Sequence, residues 1–196
     1  MQFAMYVDHA LNLNKLIAID THVHIHSQLI DTATDEAART YFGAGKTPNT
    51  TELVEYYRSR NIACVAFSVD EQLTGRVQVP NDDVLKLALD NPDVLIPFAS
   101  VNPMRGAEAM TEAQRLISAG ARGFKLHPPL QEFHANDRAA YPFYEIVNAA
   151  RLPVVIHTGH SGIGTGMPGG GGIRLKYGNP MDIDDVAVDF PEMPII

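Results

Sequence analysis

Short β-branched runs alternate with helical stretches about five times, and this alternation constrains the fold more than any other feature of the sequence. Strand-like runs cover Leu16–Ile25 (LIAIDTHVHI), Asn61–Val69 (NIACVAFSV), Val94–Val101 (VLIPFASV), Ala121–Leu126 (ARGFKL) and Pro153–His157 (PVVIH). Helical patterns fill the gaps. Thr51–Arg58 follows Pro48 and the cap candidates Asn49 and Thr50; Asp82–Leu89 follows Asn81, a good N-cap residue. Ala107, Met110, Ala113, Leu116 and Ile117 recur at helical spacing, and Gly120 closes that helix. Pro142 suits the first turn of a helix running to Ala150. Ile183–Phe190 is the last helix, and Met193–Ile196 begins another strand. Such βα repeats imply a parallel sheet with right-handed crossovers. A full (β/α)8 barrel takes about 250 residues; the 196 residues here supply five units and the start of a sixth. The expected fold is therefore α/β, an incomplete (β/α)8 TIM barrel over residues 16–196 with an N-terminal extension at 1–15. A complete open sheet of five or six strands is the alternative. Length alone favours the open sheet, and the histidine pattern reverses that preference.

Composition narrows the function. With 45% hydrophobic and 19% charged residues, the chain is neither disordered, collagenous nor a coiled coil. Fifteen Lys and Arg against 23 Asp and Glu leave a net charge of −8, which argues against nucleic acid or an anionic membrane as partner. A lone cysteine, Cys64, excludes a disulfide framework and a Cys-rich zinc site. No apolar run reaches the roughly 18–20 residues of a membrane span, and MQFAMYVDHALNLNKL lacks the basic start of a secretory signal. A cytoplasmic protein handling a small molecule is expected.

Three apparent motifs fail on inspection. Gly43-Ala-Gly-Lys46-Thr47 resembles the end of a phosphate-binding loop, but position 40 is Thr and Pro48 follows at once. Gly159-His160-Ser161 resembles a nucleophile elbow, yet the closing glycine position holds Ile163. Gly162-Ile-Gly164-Thr-Gly166 has the wrong pattern for a dinucleotide turn. Eight glycines between Gly159 and Gly172 instead mark a surface loop or a mobile active-site loop directly after the fifth strand.

Three signals carry chemistry, all at the C-terminal ends of strands, where parallel α/β proteins place their sites. In Asp20-Thr21-His22-Val23-His24, the two histidines share a strand face and suit two imidazoles converging on one metal ion. His26 keeps the parity but lies past the expected strand end and is not included. In Gly123-Phe-Lys125-Leu-His127, Lys125 and His127 share one face, and Phe124 and Leu126 take the other. In Val154-Val-Ile-His157-Thr-Gly159, a histidine closes an apolar strand and offers a third metal ligand.

IDTHVHI, GFKLHPP, PVVIHTG and the closing GNPMDIDDVAVDFP together resemble the amidohydrolase superfamily. Within it they resemble the branch of aminocarboxymuconate-semialdehyde decarboxylase, γ-resorcylate decarboxylase and related metal-dependent hydrolases. The resemblance runs from about Ile17 to the last residue. It implies a (β/α)8 barrel with one divalent metal at its mouth, zinc being the expected ion, held by His22, His24 and His157. It also implies a histidine after strand six and an aspartate after strand eight, which a chain stopping in strand six does not include. Lys125 and His127 are the expected catalytic residues, acting on a carboxylate or an oxyanion, and Asp70 and His160 the expected substrate-binding residues. The implied activity is hydrolysis at a carbonyl of a small carboxylated or acyl substrate, such as a β-ketoacyl thioester. The alternatives are non-oxidative decarboxylation of an aromatic or unsaturated acid, and metal binding without catalysis. The full-length protein is expected to be a homo-oligomer. This chain alone is expected to form an open, C-shaped array with its three histidines clustered, and to be poorly soluble and inactive.

Overall fold

The computed structural model describes residues 11–26, 33–43, 48–76 and 78–196. Most of the expected N-terminal extension (residues 1–10) and residues 44–47 of the glycine-lysine segment lie outside them. The elements in chain order are β1 (Ala18–His24), α1 (Ala33–Phe42), α2 (Thr50–Arg58), β2 (Ile62–Phe67), α3 (Asn81–Asp90), β3 (Leu95–Pro97), α4 (Ala107–Ser118), β4 (Phe124–Leu126), α5 (Pro128–Gln131), α6 (Tyr141–Ala149), β5 (Val154–Ile156) and α7 (Met181–Asp189). The strands are shorter than their β-branched runs: β2 and β3 stop short mainly at the C-terminal ends that lead to the mouth, β4 at its N-terminal end. α1 and α5 carry no sequence pattern strong enough to announce them. Among the described residues, no helix is long and apolar enough to cross a membrane.

Local chemistry sets the helix ends. Asn49 caps α2 through a reciprocal box: its side chain accepts from the Glu52 N–H, and the Glu52 carboxylate accepts from the Asn49 N–H, both at 2.9 Å. Gly120, at φ +107°, ends α4, with the Ala121 N–H returning to the Leu116 carbonyl. Asn81 does not cap α3 as expected. It is the first helical residue, and its amide exchanges two hydrogen bonds with the backbone of Ser100, which ties α3 to the segment after β3.

β1, β2 and β3 pair in parallel in that order, and β4 pairs in parallel with β5. A parallel bridge between Ala99 and Phe124 joins the two sets, and another between Val154 and Ile195 adds the strand-like end of the chain. The result is an open parallel array. Among the described residues, β1 pairs only with β2, and Ile17 and Ile19 at that edge are exposed.

The two faces of the array decide between sheet and barrel. On one face, Val23, Cys64, Ala66 and Leu95 pack against Leu53 and Val54 of α2 and Val84 and Ala88 of α3. On the same face, Phe124, Leu126, Val154 and Ile156 pack against Leu116 of α4, Phe143 and Val147 of α6 and Val186 of α7. The opposite face carries Val65, Phe67, Phe98 and Val155, all from the strands or their direct extensions, with Ile96 against them. A doubly wound sheet has helices on both faces. Helices outside and a small side-chain core inside are the layering of a barrel wall.

Gly123 belongs to that inner core. A Cβ there would stand 2.4 Å from the Phe98 ring and 2.7 Å from the Pro153 carbonyl oxygen. Phe98 fills the barrel floor only because position 123 has no side chain. Gly123→Ala is expected to destabilise the protein by about 1–3 kcal/mol through overpacking, read by urea denaturation; an unchanged midpoint would show that the floor is loosely packed.

Candidate active site at the strand ends

β1 carries a bulge at its functional end. Asp20 aligns with Cys64 but Val23 with Ala66, so three steps on β1 match two on β2. Without the extra residue, Asp20 would share a face with His22 and His24. With it, Asp20 turns to the helix side, where its carboxylate accepts from the Tyr57 hydroxyl at 2.7 Å and from the His22 N–H at 3.0 Å. Burial, with the Asp20 carboxylate beside it, holds the Tyr57 hydroxyl well above its usual pKa. Val23 and Ile25 enter the outer core, and His22 and His24 face inward.

The two inward histidines converge, their Nε2 atoms 3.0 Å apart. Both rings meet the edge or face of Phe67, with centroids 5.4 and 4.8 Å away. His26, left out because it lies past the expected strand end, stacks on His24 at 5.7 Å and extends the cluster by that residue. Phe67 also lies under Lys125, whose Nζ is 5.3 Å from the ring centroid. Lys125 is fully buried, and its Nζ has no hydrogen-bond partner among the described residues. On the far side of Lys125, His127 and His157 stack face to face, with centroids 3.9 Å apart and planes 9° apart. His127 Nδ1 and His157 Nε2 are likewise buried without partners among the described residues.

Electrostatics follow from this crowding. Burial lowers the Lys125 ammonium to about 8. Burial, then Lys125, brings His24 to about 3 and His157 to about 4; for His157 the His160 backbone acts the other way. His127 falls to about 2, through burial first and then its neighbours His157, Lys125 and His24. His22 is lowered by burial and Lys125, with Asp20 opposing. The imidazoles are therefore neutral, the form that ligates metals.

A buried polar scaffold holds this arrangement from behind. The Gln131 side chain accepts from the His127 N–H at 2.8 Å and donates to the Asp70 and Val101 carbonyls at 2.9 and 3.3 Å. Ser100 Oγ donates to the Lys125 carbonyl at 2.8 Å and accepts from the Asp70 N–H at 3.0 Å. Asp70 belongs to this scaffold. Its carboxylate accepts from Arg105 at 2.6 Å and from the Asn102 N–H at 2.8 Å, so both oxygens are engaged between loops, and burial still raises its pKa. His160 is exposed and lines a cavity of the glycine-rich loop with Tyr41, Pro129 and Met167, its backbone beside His157. The structure thus brings His22, His24, Lys125, His127 and His157 together, with Asp70 engaged in the scaffold behind them and His160 on the loop that follows His157. Gln131 and Ser100 escaped sequence reasoning, since a Gln or Ser without a motif carries no signal beyond its spacing from a neighbour.

The family model described as Amidohydrolase matches residues 19–196. The chain belongs to the amidohydrolase family. Solved structures similar to this amidohydrolase chain include an uncharacterized TIM-barrel protein from Bordetella bronchiseptica, with TM-score 0.67 and 24% identity, covering 90% of this chain and 64% of that one. They include 5-carboxyvanillate decarboxylase from Sphingomonas paucimobilis, with TM-score 0.57, 14% identity and coverage of 90% and 65%. They also include 4-oxalomesaconate hydratase from Rhodopseudomonas palustris, with TM-score 0.55, 16% identity and coverage of 90% and 61%. Among curated proteins, none matches the chain. These likenesses show the fold, a TIM barrel, of which the chain spans less than two thirds of each neighbour's length. The amidohydrolase histidines and Lys125 thus stand at the strand ends where this fold places its sites.

Proposed function

We propose that this chain carries the metal-binding and electrostatic residues of a metal-dependent hydrolase acting at a carbonyl of a small carboxylated or acyl substrate. The observation that carries the reading is the convergence of His22 and His24 Nε2 atoms at 3.0 Å beside the unpartnered Lys125 ammonium.

The donor set fits a divalent ion such as zinc. Two imidazole nitrogens at that separation can share an ion whose Zn–N bonds are about 2.0–2.1 Å. His157 Nε2, buried and unsatisfied, is the natural third donor. Among the described residues, no three His, Cys, Asp or Glu side chains already meet at one ligating point, so His157 would join the pair from across the barrel. When bound, such an ion polarises a substrate carbonyl and activates water at neutral pH.

The chain's own residues do the rest. Lys125 offers its ammonium to a substrate carboxylate or a developing oxyanion, in a site where low dielectric strengthens the contact. Phe67 closes the floor beneath the histidines and keeps water from the buried side. Gln131 and Ser100 fix the backbone of His127 and Lys125, so neither need reorganise as charge develops. Two of the neighbours are named for carboxylated compounds, which supports a carboxylated substrate here. The single cysteine, fully buried as Cys64, accords with a cytoplasmic setting.

The test is isotopic. The zinc-loaded protein is assayed against lactones, esters, thioesters and aromatic acids in 18O-labelled water. Hydrolysis places label in the product carboxylate. Release of carbon dioxide without such labelling indicates the decarboxylase reading instead, and inertness toward all classes indicates metal binding without catalysis.

A further inference from the structure

We propose that Asp20 and Tyr57 are positioning residues of this site: their hydrogen bond, passed through the β1 bulge, sets where the His22 ring stands and so how tightly a metal ion is held. The proposal rests on the metal-site reading above and adds how its first ligand is supported. Both residues act from the helix side of the strand.

The two histidines of β1 are held by different means. His24 aligns with Phe67, and the next N–H, that of Ile25, donates to the Phe67 carbonyl at 2.7 Å. Val23 and Ile25, on either side of it, are buried in the outer core. Ladder and core together hold His24. His22 lies inside the bulge, where Thr21 and His22 stand opposite Val65 alone, and Thr21 is exposed. The His22 N–H donates to Asp20 Oδ1 at 3.0 Å, a bond between residues two apart that closes the bulged turn.

The other Asp20 oxygen ties this turn to the body of the protein. Oδ2 accepts from the Tyr57 hydroxyl at 2.7 Å. Tyr57 sits on the last turn of α2 and packs against the outer core that holds Leu53 and Val54. The next residue, Arg58, donates to both Asp93 oxygens at 2.7 and 2.8 Å and to the Asn91 side chain at 2.9 Å, which fastens the end of α2 to the turn before β3. The hydroxyl is therefore presented from a fixed helix. A carboxylate with one oxygen on the His22 N–H and the other on this hydroxyl cannot turn without losing a bond. Ligands that share one ion must be held to within about 0.5 Å, and the His22 and His24 Nε2 atoms stand 3.0 Å apart. Releasing Asp20 loosens His22 and leaves His24 in place, so it should weaken the site without abolishing it.

Two measurements on the whole chain test this: amide hydrogen exchange in the metal-free protein, and titration with zinc ion against a chelating dye. In the wild type the His22 amide is expected to exchange at least about tenfold slower than an unbonded amide. Asp20→Ala should erase that protection, leave the Ile25 amide protected, and weaken zinc binding about ten- to a hundredfold. Tyr57→Phe removes one hydroxyl and should weaken zinc binding about three- to tenfold; it decides the matter if Asp20→Ala does not fold. Asp20→Asn keeps an acceptor for the His22 N–H and a polar partner for Tyr57, and should bring zinc affinity back to within about threefold of the wild type. Equal losses in Asp20→Asn and Asp20→Ala would show that charge acts rather than the hydrogen bonds, and would overturn the proposal. Unchanged zinc affinity in Asp20→Ala or Tyr57→Phe also overturns it, as does loss of Ile25 protection in step with His22, which marks general loosening of β1. A wild type that binds no zinc overturns the metal-site reading instead, and the exchange of His22 in Asp20→Ala then still decides whether Asp20 holds that residue.

Discussion

In catalytically active preparations, replacing Lys125 with methionine is expected to reduce turnover by about a hundredfold or more while leaving stability level or raising it by about 1–2 kcal/mol. The two effects separate because the ammonium is fully buried and makes no hydrogen bond. Desolvation without compensation is costly to the fold, and only the Phe67 ring, 5.3 Å from Nζ, offsets part of it. Methionine has similar length and no charge, so it fills the same space without that cost. The catalytic loss arises because, among the described residues, no other cationic donor stands at the centre of the cluster. Steady-state kinetics and urea denaturation on the same preparation check both halves. A Lys125→Met protein that unfolds readily, or that turns over as the wild type does, would contradict the assignment.

The second large effect concerns metal content. Purified protein should hold about one divalent ion per chain, and His22→Ala combined with His24→Ala should remove it entirely. The fold should survive, because both side chains lie on the inner face at an edge strand and neither enters the outer core with Val23 and Ile25. His160→Ala, outside the cluster, should retain the metal. Inductively coupled plasma analysis after dialysis gives the ratio. Stoichiometric metal in the double variant would contradict the placement of the site on β1.

Much of this architecture is legible in the residues themselves. Period-two alternation in GFKLH sets Lys125 and His127 on one face and Phe124 and Leu126 on the other, and the outer core holds Phe124 and Leu126; PVVIH is apolar throughout, so only the structure shows Val154 and Ile156 outward and Val155 inward. Alternation fails where the ladder is irregular. The bulge between Asp20 and Val23 depends on how β1 meets β2, so no pattern within β1 reveals that Asp20 faces Tyr57. Asn81 illustrates a second limit. Its propensity for capping is local, but two hydrogen bonds to Ser100, nineteen residues away, outweigh it. Asp70 illustrates a third. A carboxylate just beyond a strand end looks available to substrate, and only the tertiary positions of Asn102 and Arg105 show it engaged.

Zinc-edge X-ray absorption on the loaded protein reads the atoms around the metal. The site described here predicts three imidazole ligands at about 2.0 Å with any remaining ligand an oxygen. A shell with sulfur from Cys64, or one made of oxygen with no imidazole scattering, would contradict it.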